Sequence, residues 1–111
     1  MTAESFRRMA LSFPDTTEQS HMDHPDFRVR GKIFATLGCP DENWAMVKLW
    51  PEEQQNFVGA EPAVFMPVNG AWGRQGCTNV YLKRAGPGSV RKSLAAAWRR
   101  AAPKSVAAKA V

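Results

Sequence analysis

The segment that decides the fold is HPDFRVRGKIFATL, residues 24–37. Apolar Phe27 and Val29 alternate with Arg28 and Arg30, which is the two-residue period of a strand with one buried face. A glycine then supplies a turn, and a second apolar stretch follows it. The segment therefore predicts a hairpin whose apolar side chains point inward and whose arginines point to solvent.

Hydrophobic periodicity predicts the other elements around this hairpin. Ile33, Ala35 and Leu37 are expected on the inner side of its second strand. The predicted elements are, in chain order, a helix capped by Thr2 that ends near Leu11, strands at residues 17–22, 27–30, 33–37 and 44–49, a helix from Pro51 to Gly59, strands at 64–66 and 77–84, and a helix capped by Ser89 that ends near Ala102. This order predicts an α+β fold: a mostly antiparallel sheet with an N-terminal, a short middle and a C-terminal helix packed on it.

The length of 111 residues predicts one domain, because two cores of half this size would each bury too little surface. Pro103 closes the last predicted helix, so the domain is expected to span residues 1–104, with residues 105–111 forming a flexible basic tail. A core of this size gives modest stability, so the expected state is a monomer or a weak homodimer.

The sequence predicts a cytoplasmic protein. No run of about 18 apolar residues is present, so no membrane helix is expected, and the N-terminus lacks the basic-then-apolar pattern of a signal peptide. Cys39 and Cys77 lack the spacing of a zinc or redox motif. Two reduced cysteines are the expected state, with a disulfide between them as the alternative.

The charge is distributed unevenly along the chain. The formal net charge is +5, yet residues 67–111 contain nine Lys and Arg and no Asp or Glu. A solvated surface usually mixes both signs, so this asymmetry favours a polyanionic partner such as DNA. The alternative is a basic final helix that serves solubility alone.

Motifs for chemistry are weak. HMDHPD, residues 21–26, offers two imidazoles and two carboxylates, but a stiff proline interrupts it and an exposed turn explains it equally well. The glycine-rich GAWGRQG, residues 70–76, lacks the lysine and the strand-to-helix context of a phosphate loop. No GxSxG nucleophile elbow is present. The sequence therefore predicts no catalytic site, no metal and no cofactor.

Trp72-Gly73-Arg74 is the most suggestive binding motif. An indole beside a guanidinium on a loop can stack on a ring while the cation contacts a phosphate. Core packing is the alternative for this tryptophan. Trp44, Trp50 and Trp98 are expected in the core or at its edge.

Four segments together resemble the MmcQ/YjbR-like family. They are FRVRGKIFATL (27–37), VKLWPEEQ (47–54), PAVFMPVNGAWGRQGCTNVYLKR (62–84) and LAAAWRRAAPKSV (94–106). The resemblance implies a compact α+β domain, similar to frataxin-like and secretion-chaperone-like folds. Some members are described as DNA-binding through a "double wing" of β-hairpins, which here would be residues 27–37 and 72–84.

Two functions follow as expectations. The first is a non-catalytic DNA-binding protein that contacts phosphates with its wings and its basic last helix. Its candidate residues are Arg28, Arg30, Lys32, Trp72, Arg74, Lys83, Arg84, Lys92 and Arg99. The second is a module that holds a small anionic molecule or a peptide in a groove at Trp72 and Arg74. The first requires the cations to gather into one unneutralised patch.

Overall fold

The computed structural model describes residues 1–109, and the side chains of residues 1–107. All six strands form one antiparallel sheet in the order β1-β2-β3-β4-β6-β5. The elements are α1 (Ala3–Leu11), β1 (Thr16–His21), β2 (His24–Val29), β3 (Lys32–Leu37), β4 (Trp44–Lys48), α2 (Pro51–Ala60), β5 (Phe65–Pro67), α3 (Ala71–Arg74), β6 (Cys77–Tyr81), a 3-10 turn (Leu82–Arg84), α4 (Pro87–Ala101) and α5 (Lys104–Lys109). The predicted α+β fold is confirmed.

One face of the sheet carries the core. Phe27, Val47 and Val80 are fully buried there, and α4 packs across β3 and β4 through an apolar stripe that includes Leu94. Helix α1 begins where the Thr2 hydroxyl accepts the Ser5 N–H, and its Phe6 ring meets Phe27 edge-on with centroids 6.1 Å apart. The apolar stripes of two helices and one sheet face thus close a single core.

A β-bulge in β3 changes the predicted alternation. Phe27 pairs with Ala35 and Arg28 pairs with Ile33, so Phe34 is an extra residue on β3. Phe34, Ala35 and Leu37 are buried, whereas Ile33 is only partly buried and lines a surface cleft. Expecting Ile33 on the core face was therefore wrong, because a bulge reverses the side on which alternate residues point.

The chain after Tyr81 also differs from expectation. Strand β6 ends at Tyr81, and Lys83 and Arg84 lie on the 3-10 turn instead of on a strand. Helix α4 begins at Pro87, whereas Ser89 was predicted as its cap. Proline suits the first helical turn because its missing N–H has no partner there in any case.

Residues 105–111 were predicted to form a flexible tail, whereas the structure shows a helix over most of them. Residues Lys104–Lys109 form α5, and Val106 is buried in the core with 3% of its surface exposed. Residues 110 and 111 lie outside the described part. Within residues 1–109 no helix has the length and apolarity needed to cross a membrane.

Two glycines of GAWGRQG bring separate backbone segments together. A Cβ at Gly73 would overlap the carbonyl of Val68, and a Cβ at Gly76 would overlap the carbonyl of Leu49. Gly76 also has a φ of +109°, a value that side-chain-bearing residues rarely adopt. The glycines therefore serve close packing of the chain, which places α3 beside the sheet.

We predict that Gly76→Ala destabilises the protein by about 3 kcal/mol or more, because the methyl group must displace a backbone carbonyl and strain φ. Urea unfolding measures the change. The matched control is Gly59→Ala in α2, where a Cβ meets nothing within 4 Å, and it should stabilise by about 0.5–1 kcal/mol. An unchanged midpoint for Gly76→Ala would show that the close approach is dispensable.

Candidate functional site

The arginines of the first predicted wing are neutralised. Arg28 donates two hydrogen bonds to the carboxylate of Asp26, from Nε at 2.8 Å and from NH2 at 3.0 Å. Arg30 donates two hydrogen bonds to Asp15, both at 3.1 Å. A phosphate would have to displace a carboxylate at either position. Both wing arginines are thus paired with carboxylates of this chain: Arg30 faces solvent as expected, whereas Arg28 is partly buried.

Asp26 is the centre of a buried polar cluster. Its carboxylate is fully buried and also bonds the Nδ1 of His21 at 2.7 Å. The hydrogen bonds from Arg28 lower the pKa of Asp26, against the effect of burial, and the hydrogen bond with His21 acts in the same direction. The cluster links β1 to β2 by side chains in addition to their backbone pairing.

The two histidines of HMDHPD, residues 21–26, have contacts within the protein. His21 is held by Asp26, and the ring of His24 lies beside Gly38. Among the described residues, no three His, Cys, Asp or Glu side chains come close enough together to hold a metal ion.

We predict that Asp26→Asn lowers the free energy of unfolding at pH 7 by about 1–3 kcal/mol, the range for a charged buried hydrogen-bond partner. Because the folded state lowers the pKa of Asp26, its contribution is complete above the unfolded value of about 3.9 and is lost as the pH falls through the folded value. The difference between wild type and variant should therefore shrink below about pH 4.

Urea unfolding at pH 7, 4 and 3 measures this difference. Asp15→Asn is the matched control, since its half-exposed pair with Arg30 should contribute less than about 1 kcal/mol. Equal effects for the two variants at pH 7 would contradict the role given to the buried carboxylate.

The cations of residues 67–107 form no ion pairs among the described side chains. Every ion pair among the described side chains uses a cation from the first 30 residues. Arg91, Lys92 and Arg99 are exposed on the side of α4 that faces away from the sheet. We use the name α4 ridge for these three residues together with the exposed cations of the 3-10 turn before α4 and of the start of α5: Lys83, Arg84, Arg91, Lys92, Arg99 and Lys104.

The remaining predicted site residues do not join this ridge. Lys32 begins β3, at the end of the sheet where β4 finishes, whereas Lys83 and Arg84 follow β6 at the opposite end. Arg74 ends α3 and lines a shallow pocket with Asn69 and Gly70. The nine predicted residues thus divide into paired wing arginines, a helix ridge and separate positions elsewhere.

The other face of the sheet forms a mostly apolar cleft with a volume of about 470 Å³. We call it the sheet-face cleft. Its floor comes from alternate residues of the central strands, on the side opposite the core. The lining residues are His21, Met22, His24, Ile33, Thr36, Cys39, Met46, Lys48, Val68, Trp72, Cys77 and Asn79.

Trp72 lies at this cleft with 62% of its surface exposed, so the alternative that it packs in the core does not hold. Arg74 does not line the same cleft, so the expected groove shared by Trp72 and Arg74 is wrong in its pairing. The two residues are two positions apart on α3, about 200° around the helix axis, so Trp72 lines the sheet-face cleft and Arg74 lines the pocket beside Asn69.

Several candidate residues were not identified from the sequence. Lys48 lines the cleft, and Trp50, which was expected in the core or at its edge, has 51% of its surface exposed. The guanidinium of Arg100 stacks on the Trp50 ring, with its central carbon 4.2 Å from the ring centroid. The sequence feature that could have identified Lys48 is its position on β4 two residues after Met46, because alternate residues of a strand point to the same side of the sheet.

The architecture is that of a small α+β protein with one antiparallel sheet and helices on one side. The YjbR family model matches residues 11–100. The chain belongs to the YjbR family, as the resemblance indicated.

A solved structure agrees with this assignment. The crystal structure of Deinococcus radiodurans protein DR2400, which carries a DUF419 family-model domain, is similar with a TM-score of 0.69 and 17% sequence identity. The alignment covers 97% of this chain and 86% of that chain. At this identity the likeness concerns the fold. No curated protein matches the sequence.

Proposed function

We propose that this YjbR-family protein is a non-catalytic, cytoplasmic DNA-binding protein that contacts phosphates through the α4 ridge. The observation that carries the proposal is the segregation of charge: the ion pairs among the described side chains all use cations from the first 30 residues, whereas the six ridge cations have no carboxylate partner there. Exposed cations that no carboxylate neutralises are the electrostatic feature that attracts phosphate backbones.

The spacing of the ridge suits a nucleic-acid strand. Lys92 and Arg99 are seven residues apart on α4, which is about 10 Å along the helix axis. Four successive phosphates of one strand, separated by three rises of about 3.4 Å, span a similar distance. Because the opposite side of α4 is packed in the core, the cations are presented on a rigid support. Contacts of this kind position a protein on DNA without reading its sequence.

The cytoplasmic location is part of the proposal. Cys39 and Cys77 are both free thiols, one exposed and one buried, which is the usual state of cysteine in a reducing compartment. Burial raises the pKa of the Cys77 thiol, while Lys48 and Arg100 act in the opposite direction.

We predict that the affinity for duplex DNA falls with salt with a slope of about −4 to −5 in log K against log salt, as expected for about four to six neutralised phosphates. Replacing Lys92 and Arg99 by Gln should reduce the slope by about 1 for each residue. Fluorescence anisotropy with a labelled duplex across a salt series measures both values.

Arg30→Gln is the matched control, because Arg30 is exposed but already paired with Asp15. It should leave the salt slope within about 0.3 of the wild-type value. A salt-independent affinity, or an Arg30→Gln variant that loses as much as Lys92→Gln, would rule out the α4 ridge as the contact surface.

A second candidate function is supported by the sheet-face cleft. An apolar concavity with an exposed indole and few polar groups is the usual form of a small-molecule site. Lys48 is the one Lys or Arg in its lining, so the chemistry favours a mainly apolar ligand with one anionic group. This proposal keeps Trp72 as a binding residue and assigns no role to Arg74.

We predict that 1-anilinonaphthalene-8-sulfonate, an aromatic anion, binds the folded protein in the sheet-face cleft. Trp72→Ala should weaken this binding about tenfold through loss of ring stacking. Arg74→Ala is the matched control and should change it less than twofold. Fluorescence titration measures the affinities, with near-UV circular dichroism to verify folding. Equal effects of both variants would exclude the cleft as the site.

A further inference from the structure

A second concavity of about 390 Å³ lies at the end of the sheet where β4 finishes. Its charged lining residues are Lys32, Lys48 and Arg100, and its aromatic residue is Trp50. Two alanines of α4 and Ile33 complete the wall. The lining contains three cations and no carboxylate; the nearby Glu53 carboxylate accepts the backbone N–H of Trp50 and forms no ion pair with the three cations. We call this concavity the Trp50 pocket.

Three separate elements bring these cations together. Lys32 begins β3 and Lys48 ends β4, and antiparallel neighbours put these two ends side by side. Arg100 approaches from α4. None of the three forms an ion pair among the described side chains. Cations that converge without a carboxylate repel one another, and a bound anion removes that repulsion.

Arg100 is held in place by the backbone. Its NH1 donates to the carbonyl oxygens of Leu49 and Gln75, the latter at 2.8 Å. The guanidinium also lies over the Trp50 ring. An arginine has five N–H donors, and both bonds to backbone use the same nitrogen. Nε and NH2 therefore remain as a pre-positioned pair of donors for an oxyanion.

We infer that the Trp50 pocket is a binding site for a phosphomonoester carried on a flat aromatic group. A phosphomonoester has a charge of about −1.5 to −2 near pH 7 and three acceptor oxygens, which matches three converging cations better than a single carboxylate does. The half-exposed indole of Trp50 offers a surface on which an aromatic ring stacks. The pocket shares Ile33 and Lys48 with the sheet-face cleft, and none of its cations belongs to the α4 ridge.

The same phosphate chemistry could come from a nucleic-acid backbone. A phosphodiester in DNA has one charge and two flanking sugars, whereas a phosphomonoester ends in the doubly charged group that a small three-cation pocket accommodates. The proposal therefore commits to the free phosphomonoester, and it does not depend on DNA binding by the α4 ridge. A competition with duplex DNA separates the two sources.

The test uses the full ¹⁵N-labelled chain and 1-naphthyl phosphate as the probe. Its titration should shift the indole N–H of Trp50 and the Nε–H of Arg100 in NMR spectra, with saturable binding. The neutral 1-naphthol should bind at least tenfold more weakly, since it lacks the charge-assisted hydrogen bonds. Shifts confined to residues outside the Trp50 pocket would overturn the proposal.

Variants provide the quantitative check. Lys32→Met removes one exposed cation that forms no ion pair among the described side chains, and it should weaken the binding of 1-naphthyl phosphate about tenfold. Lys92→Met, on the α4 ridge, is the matched control and should change it less than twofold. Arg100→Met should abolish binding, and Lys32→Met keeps the test decisive if loss of Arg100 impairs folding. Equal effects of Lys32→Met and Lys92→Met would overturn the proposal.

The last experiment is a competition between duplex DNA and 1-naphthyl phosphate. Saturating duplex should leave 1-naphthyl phosphate bound, and Lys32→Met should leave the DNA affinity unchanged within twofold. Displacement of the probe by duplex together with weaker DNA binding by Lys32→Met would assign the pocket to the nucleic-acid backbone and overturn the phosphomonoester site.

Discussion

The close approach of Gly76 to Leu49 is the contact on which the rest of the structure depends. The Leu49 N–H donates to the Gly76 carbonyl at 3.1 Å, and the Leu49 carbonyl accepts from Arg100. A side chain at residue 76 would occupy this space. The end of β4, the start of β6 and the last turn of α4 therefore meet at one point. This junction positions Trp50 and Arg100, which line the Trp50 pocket. It also holds the end of the segment that carries α3, from which Trp72 lines the sheet-face cleft.

The distribution of charge gives the two halves of the chain different roles. In the N-terminal half, carboxylates and arginines pair within the fold, and the Asp26 cluster shows that this pairing extends into a buried position. Those cations contribute to the cohesion of the hairpin. Residues 67–111 contain no acidic side chain, so this segment supplies no carboxylate that could neutralise the exposed cations of α4. A positive surface that no internal carboxylate neutralises is the feature that links this fold to polyanions.

The sheet also divides the molecule into two surfaces of different character. One face is covered by α1 and α4 and holds the core. The other face carries Met46, Lys48 and Asn79 at alternate positions and remains open as a cleft. The bulge at Phe34 is what allows β3 to serve both, because it adds an aromatic to the core and turns Ile33 toward the cleft. The apolar cleft thus lies on the face opposite the core, and it adjoins the Trp50 pocket through Ile33 and Lys48.

Local pattern in the sequence was enough to predict the α+β class, all six strands, the helices α1, α2 and α4, and the family; it missed α3 and predicted α5 as a tail. Periodicity reports which residues must leave water, and that requirement is local: Phe27, Val47 and Leu94 are buried because alternation or helical spacing puts them on one side. The sequence also revealed the charge asymmetry, since composition does not depend on folding. Which cations pair with a carboxylate and which do not depends on the tertiary structure. Arg30 pairs with Asp15, which lies 15 residues earlier in the chain, whereas Arg99 has no carboxylate partner among the described side chains. No spacing rule in the sequence indicates which of these cations meets a carboxylate. The Trp50 pocket arises in the same way, from the ends of two strands and a helix that only long-range packing brings together.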